Sequence, residues 1–557
     1  MTQFTPFQPP AKFWTNAWLS LLQLIINGLF KSVMVVSSYF LIKSLSTTIK
    51  LQQDIPLLLV SYLVVVALIL ISLRVHERYI AEKMSQKYIN RVRSTLLKRI
   101  MRASIRSVQN KTIGNLSSRL AGDLSAVKRW LSLGIARLLT HSILLLVVLG
   151  FIFSINLKLG LLMMSAVLVL TIISVMIGQV LKKTITDVRR NRIKIHSLLV
   201  ERLSSIATIR AMGKELPEVK KINRQADKLE KNIASQGIML GLLRGVGDAS
   251  GIILIALLFA FNAIYPNSLS VHEITALISL VLFLNSPIRE LGRVQEYYQG
   301  AKLSFSKLEE LFSIPRIIRG KNQQQKTINA SGTVVLKNIQ QDGLFKGLNL
   351  DAQSGEHIAI TGKNGSGKST IINFLLGLIK ADKGSVLINN ITPNSMLAKD
   401  KAKNIGVSGV NLTIIRGSLL KNLTYRFNNY NSNDFTHLLE FCQLNELIEK
   451  LPQGLATKIK ENGSNFSSGE KARISLFRAL LGKPSLLILD EPESYLDDKG
   501  LGMIEVLLET YKGTILIATH HKKLIALCDK QWNLSPTNIK KMNLVNKNES
   551  TQIKNEK

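Results

Sequence analysis

Residues 362–370 read Gly-Lys-Asn-Gly-Ser-Gly-Lys-Ser-Thr, which fits the pattern G-x-x-x-x-G-K-[ST] of a phosphate-binding loop. Glu356–Thr361 predict a strand before the loop, and Ile371–Ile379 predict a helix after it, which is the context that this motif requires. The glycines allow backbone amides to turn toward phosphate oxygens. Lys368 can supply a positive charge to the β- and γ-phosphates, and the Ser369 hydroxyl can ligate Mg²⁺. The motif therefore predicts a nucleotide site, although alone it does not separate transporters, GTPases and kinases.

A second motif supplies acidic groups, since residues 486–491 read Leu-Leu-Ile-Leu-Asp-Glu. Four consecutive apolar residues predict a buried parallel strand. Asp490 at its carboxyl end can hold Mg²⁺, and Glu491 can polarise an attacking water. The structural alternative is a pair of acids that cap a following helix. The phosphate loop in the same chain favours the catalytic interpretation.

Between these motifs, Asn465–Arg473 contain a Ser-Ser-Gly turn that opens a predicted helix. The first amides of a helix lack partners within the helix, so such a turn can bind an anion. The chain therefore contains two predicted helix starts that can bind phosphate.

The first half of the chain has a different composition. The 557 residues are 46% hydrophobic and carry a formal net charge of +35, and long uncharged apolar runs are concentrated before residue 300. This composition excludes a disordered chain, and two cysteines are too few for a disulfide scaffold. A basic chain can indicate nucleic-acid binding. Basic residues that flank membrane spans on the cytoplasmic side explain the charge better, so we expect no nucleic-acid partner.

Six apolar stretches approach the length of about 20 residues that a bilayer-crossing helix needs. They are Trp18–Ile42, Ile55–Leu73, Leu138–Ile155, Leu159–Leu181, Ala249–Ile264 and Ile274–Ile288. Residues 74–137 and 182–236 form two long loops that hold 15 and 14 basic residues, against 3 and 6 acidic ones. The positive-inside rule places both loops and both termini in the cytoplasm. Helical hairpins in these loops could reach about 40 Å below the membrane.

One polar stripe lies within the first predicted span. Gln23, Asn27 and Lys31 are spaced i, i+4, i+8 and therefore share a helix face. A lysine near the middle of the bilayer costs a few kcal/mol unless it faces a cavity or a partner. The functional interpretation is a cavity cation that contacts an anionic or polar substrate. An internal ion pair or interhelical hydrogen bonds are the alternative.

The order of these motifs resembles that of the ABC transporter family. A phosphate loop, a Ser-Gly helix start, an apolar strand ending in Asp-Glu and then a histidine look like the ATPase domain of that family. Six spans with two long basic loops resemble its exporter type, in which membrane and ATPase domains are fused as a half-transporter. The implied fold is an α-helical six-span membrane domain followed by an α/β P-loop ATPase domain of ABC type. The expected boundaries are 1–312 for the membrane domain, 313–333 for a linker, 334–536 for the ATPase domain and 537–557 for a disordered basic tail.

The resemblance also implies roles for individual residues. The catalytic residues would be Glu491 and His520, with His521 as an alternative one position on. Asp497 would belong to the D-loop. Ser369 and Asp490 would hold Mg²⁺. The ATP-binding loop would comprise Gly362, Lys363, Asn364, Gly365, Ser366, Gly367, Lys368, Ser369 and Thr370, and the signature that acts on the partner's ATP would comprise Ser467, Ser468, Gly469 and Glu470.

This sequence also departs from the family's pattern. The family usually has a Gln after the phosphate loop that couples the site to the membrane domain, and Gly409 or Val410 holds that position here. The usual adenine-stacking aromatic residue is absent from the turn Gln340–Gly343, and Phe345, the nearest aromatic, aligns better with an interior strand position. The signature also has Ser468 and Glu470 where the family usually has Gly and Gln.

The leading hypothesis is ATP-driven export of an unidentified, anionic or amphipathic substrate by a dimer of half-transporters. It implies ATP, Mg²⁺, membrane lipid and a second half-transporter as partners, and a multi-pass location in a bacterial inner membrane. The alternative is a degenerate, regulatory half of a heterodimer with weak or no ATPase of its own. The departures favour the alternative, whereas the retained Glu491 argues against it.

Overall fold

The computed structural model of the chain describes residues 13–52, 54–109, 116–117, 119–266, 268–315, 331–409 and 414–534. It divides into two compact units. The first comprises the chain up to Arg102 and Gln109–Ile314, and the second comprises Ala103–Val108 and the chain from Pro315 onward. The predicted linker at 313–333 lies mostly outside the described residues. The predicted tail at 537–557 and both termini lie wholly outside them, so these assignments stay predictions.

The first unit is helical, and the prediction of six spans is confirmed. Among the residues that the structure describes, six helices are long and apolar enough to cross a membrane. The helices of the chain before the second unit's strands are α1 (Phe13–Lys50), α2 (Leu57–Ile100), α3 (Ile105–Gln109), α4 (Leu124–Arg129), α5 (Ala136–Ile155), α6 (Leu157–Ser204), α7 (Ile206–Ala211), α8 (Glu215–Ile264) and α9 (Val271–Phe312), with π-helical turns at Arg119–Asp123 and Trp130–Ile135. The short α3 belongs almost entirely to the second unit.

The helices extend well beyond the apolar runs that predicted them. At a rise of 1.5 Å per residue, the 48 residues of α6 span about 70 Å, whereas the hydrocarbon core is about 30 Å thick. The excess of about 40 Å agrees with the length expected for the cytoplasmic hairpins. Local caps begin these helices: the Asn156 side chain accepts a hydrogen bond from the Leu159 amide, and Ser270 forms a capping box with Glu273.

The core of the first unit is formed by apolar side chains of α1, α5, α6, α8 and α9. Val35, Val148, Leu159, Leu254 and Leu280 are fully buried there. In contrast, the most apolar stretch of α2 has none of its residues buried. An exposed apolar helix face is what a lipid-facing span requires.

The second unit contains two main sheets. Its strands are β1 (Val334–Gln341), β2 (Phe345–Ala352), β3 (His357–Thr361), β4 (Lys383–Ile388), β5 (Ile405–Gly409), β6 (Gly417–Ser418), β7 (Lys458–Ile459), β8 (Leu486–Asp490), β9 (Thr514–Ala518) and β10 (Lys530–Asn533). Strands β2-β1-β4 form an antiparallel sheet, and β10-β3-β9-β8-β5 form a five-stranded parallel sheet.

The helices of the second unit's ATPase segment are α10 (Lys368–Leu375), α11 (Ala398–Asn404), α12 (Leu419–Leu423), α13 (Ser432–Phe441), α14 (Asn445–Lys450), α15 (Ser468–Leu480), α16 (Asp498–Thr510) and α17 (Lys522–Ala526). Strands β3 and β9 are buried along their whole length, and β8 is buried up to Leu489. Because all five strands run parallel, the residues that follow them meet at one edge of the sheet.

Candidate functional site

The phosphate loop follows β3 directly and turns into α10. At two of its glycines, the backbone conformation or the close neighbours disfavour any residue with a Cβ. Gly367 has a φ of 101°, and a Cβ at Gly362, where φ is 145°, would lie 2.4 Å from the Leu534 carbonyl oxygen. The Ser366 amide donates to the Lys363 carbonyl at 3.0 Å, which closes the turn. The local sequence therefore forms the predicted loop at the start of a helix.

Lys368 joins the loop to the segment that follows β9. Its Nζ lies 2.9 Å from the Gly362 carbonyl oxygen and 2.6 Å from Nε2 of His520. Lys368 is only 6% exposed, whereas His520 is exposed. The structure thus brings His520 to the loop lysine, while Nδ1 of its neighbour His521 is buried without a hydrogen-bond partner among the described residues. This arrangement favours His520 over His521 as the catalytic histidine that the resemblance implies.

Asp490 ends β8 and Glu491 follows it, at the same edge of the sheet. Glu491 adopts a left-handed backbone with φ 49° and ψ 54°, and its amide donates to the Ala518 carbonyl at 2.9 Å. A residue other than glycine in this region carries strain, and such strain is concentrated at functional sites. The hydrogen bond to Ala518 fixes the turn between the end of β8 and the end of β9. Glu491 is therefore held at the strand edge that also carries the phosphate loop and His520.

Asp490 fits the role of a Mg²⁺ ligand. Its partial burial and the neighbouring charge of Glu491 raise the pKa of its carboxyl, and Lys368 partly offsets this effect. A carboxylate in a crowded acidic environment gains from a divalent cation. With the exposed hydroxyl of Ser369 it offers the oxygen ligands that Mg²⁺ prefers. Bound Mg²⁺ would neutralise phosphate charge at this edge.

Gly409, at the end of β5, pairs with Asp490 across the sheet. A Cβ at Gly409 would lie 2.7 Å from the Cβ of Asp490, which is closer than real Cβ atoms come. The small residue at this position is therefore required by the acid beside it. A Gln at position 409 could not be accommodated without moving Asp490. Val410, the other candidate for the Gln position, lies outside the described residues.

Gly409→Ala is expected to lower the rate of ATP hydrolysis by about tenfold, since the added methyl group displaces Asp490 from its place at the strand end. The measurement is the hydrolysis rate as a function of Mg²⁺ concentration, and the apparent affinity for Mg²⁺ should fall as well. Gly502→Ala is the matched control, because a Cβ at Gly502 would meet nothing within 4 Å. Equal Mg²⁺ affinity in both variants would contradict the proposed link between Gly409 and Asp490.

The signature segment forms the start of α15. Ser467 and Glu470 form a capping box: the Ser467 amide donates to Oε2 of Glu470 at 2.7 Å, and the Glu470 amide donates to Oγ of Ser467 at 3.2 Å. The expectation that the first amides of this helix are free is therefore wrong for Glu470. The family usually has an uncharged amide at this position. Here the negative carboxylate of Glu470 contacts the Ser467 amide at the start of its own helix.

An ion pair that sequence reasoning missed connects the signature helix to the D-loop. Nη2 of Arg473 lies 3.0 and 3.2 Å from the two carboxylate oxygens of Asp497. Asp497 also caps α16 by accepting from the Gly500 amide at 3.0 Å. The hydrogen bonds from Arg473 and Gly500 lower the pKa of the Asp497 carboxyl. Arg473 lies in the second turn of the predicted helix, and no local pattern indicates its partner.

The expectation for Phe345 is confirmed. This ring is only 7% exposed in the core of the second unit, and its Cζ would lie 2.4 Å from a Cβ at Gly367. It therefore packs beneath the phosphate loop, where it cannot stack on a base. The turn that usually carries the adenine-stacking residue is held by another contact, in which the Gln341 amide donates to Asp382 at 2.7 Å.

In the first unit, the polar stripe of α1 contacts α2. Lys31 pairs with Glu77 at 3.5 Å, and both side chains are nearly buried. Asn27 donates to the Leu73 carbonyl at 3.0 Å, whereas Gln23 is exposed. The structure therefore contains the internal ion pair that was the alternative interpretation, and a substrate contact by these residues stays a prediction. The hydropathy pattern does not indicate this role for Glu77, because the apolar run ends at Leu73 and predicts a loop from residue 74.

Comparison with known families gives two matches within this chain. Residues 17–288 match the family described as the ABC transporter transmembrane region, and residues 345–494 match the one described as ABC transporter. Together these matches cover well over half of the chain. They also occur in the order that the sequence predicted, with the membrane part first.

Individual relatives are distant but extensive. The mouse mitochondrial ATP-binding cassette sub-family B member 10 is 24% identical over 80% of this chain, and the match spans 65% of the mouse protein, just under two thirds of its length. The ATP-dependent lipid A-core flippase of Desulfotalea psychrophila is 23% identical over 84% of each chain.

A solved structure of a bacterial Atm1-family ABC exporter with ATP bound matches with a TM-score of 0.82, covering 93% of this chain and 94% of that one at 19% identity. At this identity the match shows the shared fold. Together with the two family matches, it identifies the chain as a member of the ABC transporter family, an exporter-type half-transporter in which a six-span membrane region is fused to an ATP-hydrolysing domain.

Proposed function

We propose that this chain works as half of a dimeric exporter that uses ATP to move an anionic or amphipathic substrate across a membrane. The observation that carries the proposal is the meeting of Lys368, Asp490–Glu491 and His520 at one edge of the parallel sheet. These groups belong to a chain that also has six helices able to span a membrane. ATP hydrolysis is therefore coupled to the membrane domain of the same polypeptide.

The site residues have different roles in ATP binding and hydrolysis. Gly362–Thr370 bind the phosphates through backbone amides and the Lys368 charge. Ser369 and Asp490 would hold Mg²⁺, which would neutralise phosphate charge. Glu491 would polarise the attacking water, and His520, which lies beside Lys368, would contact the terminal phosphate.

The dimer follows from the number of sites in one chain. By resemblance to the family, each ATP is held between the phosphate loop of one subunit and the signature, Ser467–Glu470, of the other. A chain with one loop and one signature needs a second half-transporter to complete either site. We infer that the partner is a second copy of this chain. A different half-transporter is the alternative, and the absent Gln at 409 and the capping-box role of Glu470 support it.

The proposed location is a bacterial inner membrane. The two loops rich in Lys and Arg lie on the cytoplasmic side, and the termini and the ATPase domain lie on the same side. The domain boundaries are proposed as 1–312 for the membrane domain and 334–536 for the ATPase domain, joined by the linker 313–333.

The test is steady-state ATP hydrolysis by this chain, purified alone and placed in lipid nanodiscs. A self-sufficient homodimer hydrolyses ATP under these conditions, and the rate rises with the fraction of nanodiscs that hold two copies. Lys368→Ala is the matched control for contaminating ATPases, since it removes the phosphate-binding charge. A folded preparation that binds ATP but hydrolyses none would overturn the homodimer and favour the regulatory half of a heterodimer.

A further inference from the structure

Glu493 is an acid near the site to which the sequence analysis gives no role. It lies two residues after Glu491, in the short 3-10 turn Pro492–Ser494. Its Oε1 accepts two hydrogen bonds, one from the Thr519 hydroxyl at 2.6 Å and one from the His520 amide at 3.1 Å. One carboxylate oxygen therefore holds two consecutive residues of the segment that follows β9.

The bonds of Thr519 extend this arrangement. Thr519 is fully buried, and its Oγ1 accepts a hydrogen bond from the His521 amide at 3.0 Å while donating to Glu493. Glu493 thus organises the backbone of residues 519–521. The middle residue of these three, His520, is the one whose imidazole reaches Lys368 at 2.6 Å. The conformation of the turn after β9 is therefore set by a side chain that follows β8.

The second carboxylate oxygen of Glu493 indicates that this residue lowers the stability of the fold. Oε2 is buried and has no hydrogen-bond partner among the residues that the structure describes. A buried oxygen without a partner lowers stability, and it is more costly on a charged group. The charge also adds to that of Glu491 beside Asp490, which a stable fold would avoid. The two hydrogen bonds that Oε1 accepts are therefore kept at a cost in stability.

We propose that Glu493 is a positioning residue that fixes the segment 519–521 and thereby holds the His520 imidazole against the phosphate loop. The inference rests on the proposed ATPase function and adds a residue to its machinery. The contact acts through the acceptor oxygen Oε1 and not through the negative charge. A glutamine at 493 can keep that acceptor, whereas an alanine cannot.

The test compares Glu493→Ala with Glu493→Gln in the full chain in nanodiscs. We expect Glu493→Ala to lower kcat by about tenfold and to raise KM for ATP by about threefold to tenfold, since a misplaced His520 weakens the contact with the terminal phosphate both in bound ATP and during its transfer. Glu493→Gln should recover kcat to within about threefold of the unaltered chain, with a thermal midpoint that is equal or higher. Glu509→Ala, at an exposed acid on α16, is the control and should leave kcat unchanged.

Two outcomes would overturn the proposal. An unaltered kcat in Glu493→Ala would remove the positioning role, and a Gln variant as slow as the Ala variant would assign the effect to the charge. If Glu493→Ala does not fold, Thr519→Val removes one of the two donors to Oε1, together with the acceptor of the His521 amide, and an unaltered kcat in this variant then removes the positioning role in the same way. Where both variants fold, the loss in the double variant should be smaller than the sum of the two single losses, because each single variant breaks the bond between Thr519 and Glu493.

An equilibrium measurement of nucleotide binding distinguishes failure of this inference from failure of the proposed ATPase function. The preference for ATP over ADP is measured at equilibrium in a Glu491→Gln background, where turnover is not required. Misplacing His520 should reduce this preference by about threefold to tenfold in Glu493→Ala, since the histidine contacts the terminal phosphate. An inactive chain whose preference still falls keeps the inference and rejects self-sufficient hydrolysis. An unchanged preference rejects the inference.

Discussion

Glu491→Gln is expected to reduce ATP hydrolysis by about a thousandfold while ATP still binds. A general base typically contributes about 10²- to 10⁴-fold to a rate, and an amide of nearly the same shape cannot accept the proton of the attacking water. The left-handed backbone at this position, with φ 49°, and the bond from its amide to Ala518 do not depend on the carboxylate. The substitution should therefore leave the turn intact.

The measurement pairs phosphate release with equilibrium ATP binding on the same preparation. Glu509→Gln is the control because it makes the same chemical change at an exposed acid of the same domain. Loss of ATP binding together with hydrolysis would mean that Glu491 supports the fold of the loop. Hydrolysis at more than about a tenth of the original rate would mean that another group activates the water.

The parts of the site that the sequence predicts are those encoded by neighbours along the chain. The phosphate loop requires glycines at fixed spacing, and the acids follow an uninterrupted apolar strand, so Lys368, Asp490 and Glu491 are recognisable from local pattern alone. Parallel strands then bring these positions to one edge of the sheet without further information. The role of His520 comes instead from the resemblance to the family, which left His521 as an alternative, and the contact between His520 and Lys368 favours His520.

The parts that the sequence does not predict depend on pairing between distant positions. The partner of Arg473 is Asp497, and the partners of Glu493 are Thr519 and the backbone of His520, all of which require the tertiary fold. The capping box at Ser467 and Glu470 has a local signature, Ser followed three residues later by Glu. The family usually has a Gln at this position, and here the Glu470 carboxylate accepts a hydrogen bond from the Ser467 amide at the start of its own helix.

The membrane domain gives the clearest case of a missed partner. Apolar runs mark only the part of each helix that lies in lipid, so the run Ile55–Leu73 predicts a span that ends before Glu77 and a basic loop from residue 74. The helix in fact continues to Ile100, and its next turn carries Glu77, only 8% exposed. The ion pair with Lys31 lies between two helices, and its members are separated by 46 residues. Hydropathy alone cannot pair them.

Glu77→Ala is the second large effect that we expect. Glu77 contacts Lys31 at 3.5 Å and accepts a hydrogen bond from the Thr140 hydroxyl at 3.1 Å, so three helices meet at this carboxylate. Removing one member of a nearly buried ion pair leaves the other charge without compensation, which costs about 3–5 kcal/mol. The measurement is the thermal midpoint of the purified chain in nanodiscs, which should fall by several degrees.

The size of the fall in the thermal midpoint distinguishes the nearly buried pair of Lys31 and Glu77 from an exposed ion pair. Asp187→Ala breaks the pair between Asp187 and Arg190 on α6, whose arginine is 68% exposed, and should cost less than about 1 kcal/mol. The double variant Lys31→Met, Glu77→Gln removes both charges and keeps a side-chain amide oxygen that can accept from Thr140, so it should regain most of the lost stability. If Glu77→Ala is no more harmful than Asp187→Ala, Lys31 does not depend on Glu77 for its counter-charge. In that case Lys31 has water or another group available to it, and the interpretation of Lys31 as a cavity cation that contacts an anionic substrate becomes the better one.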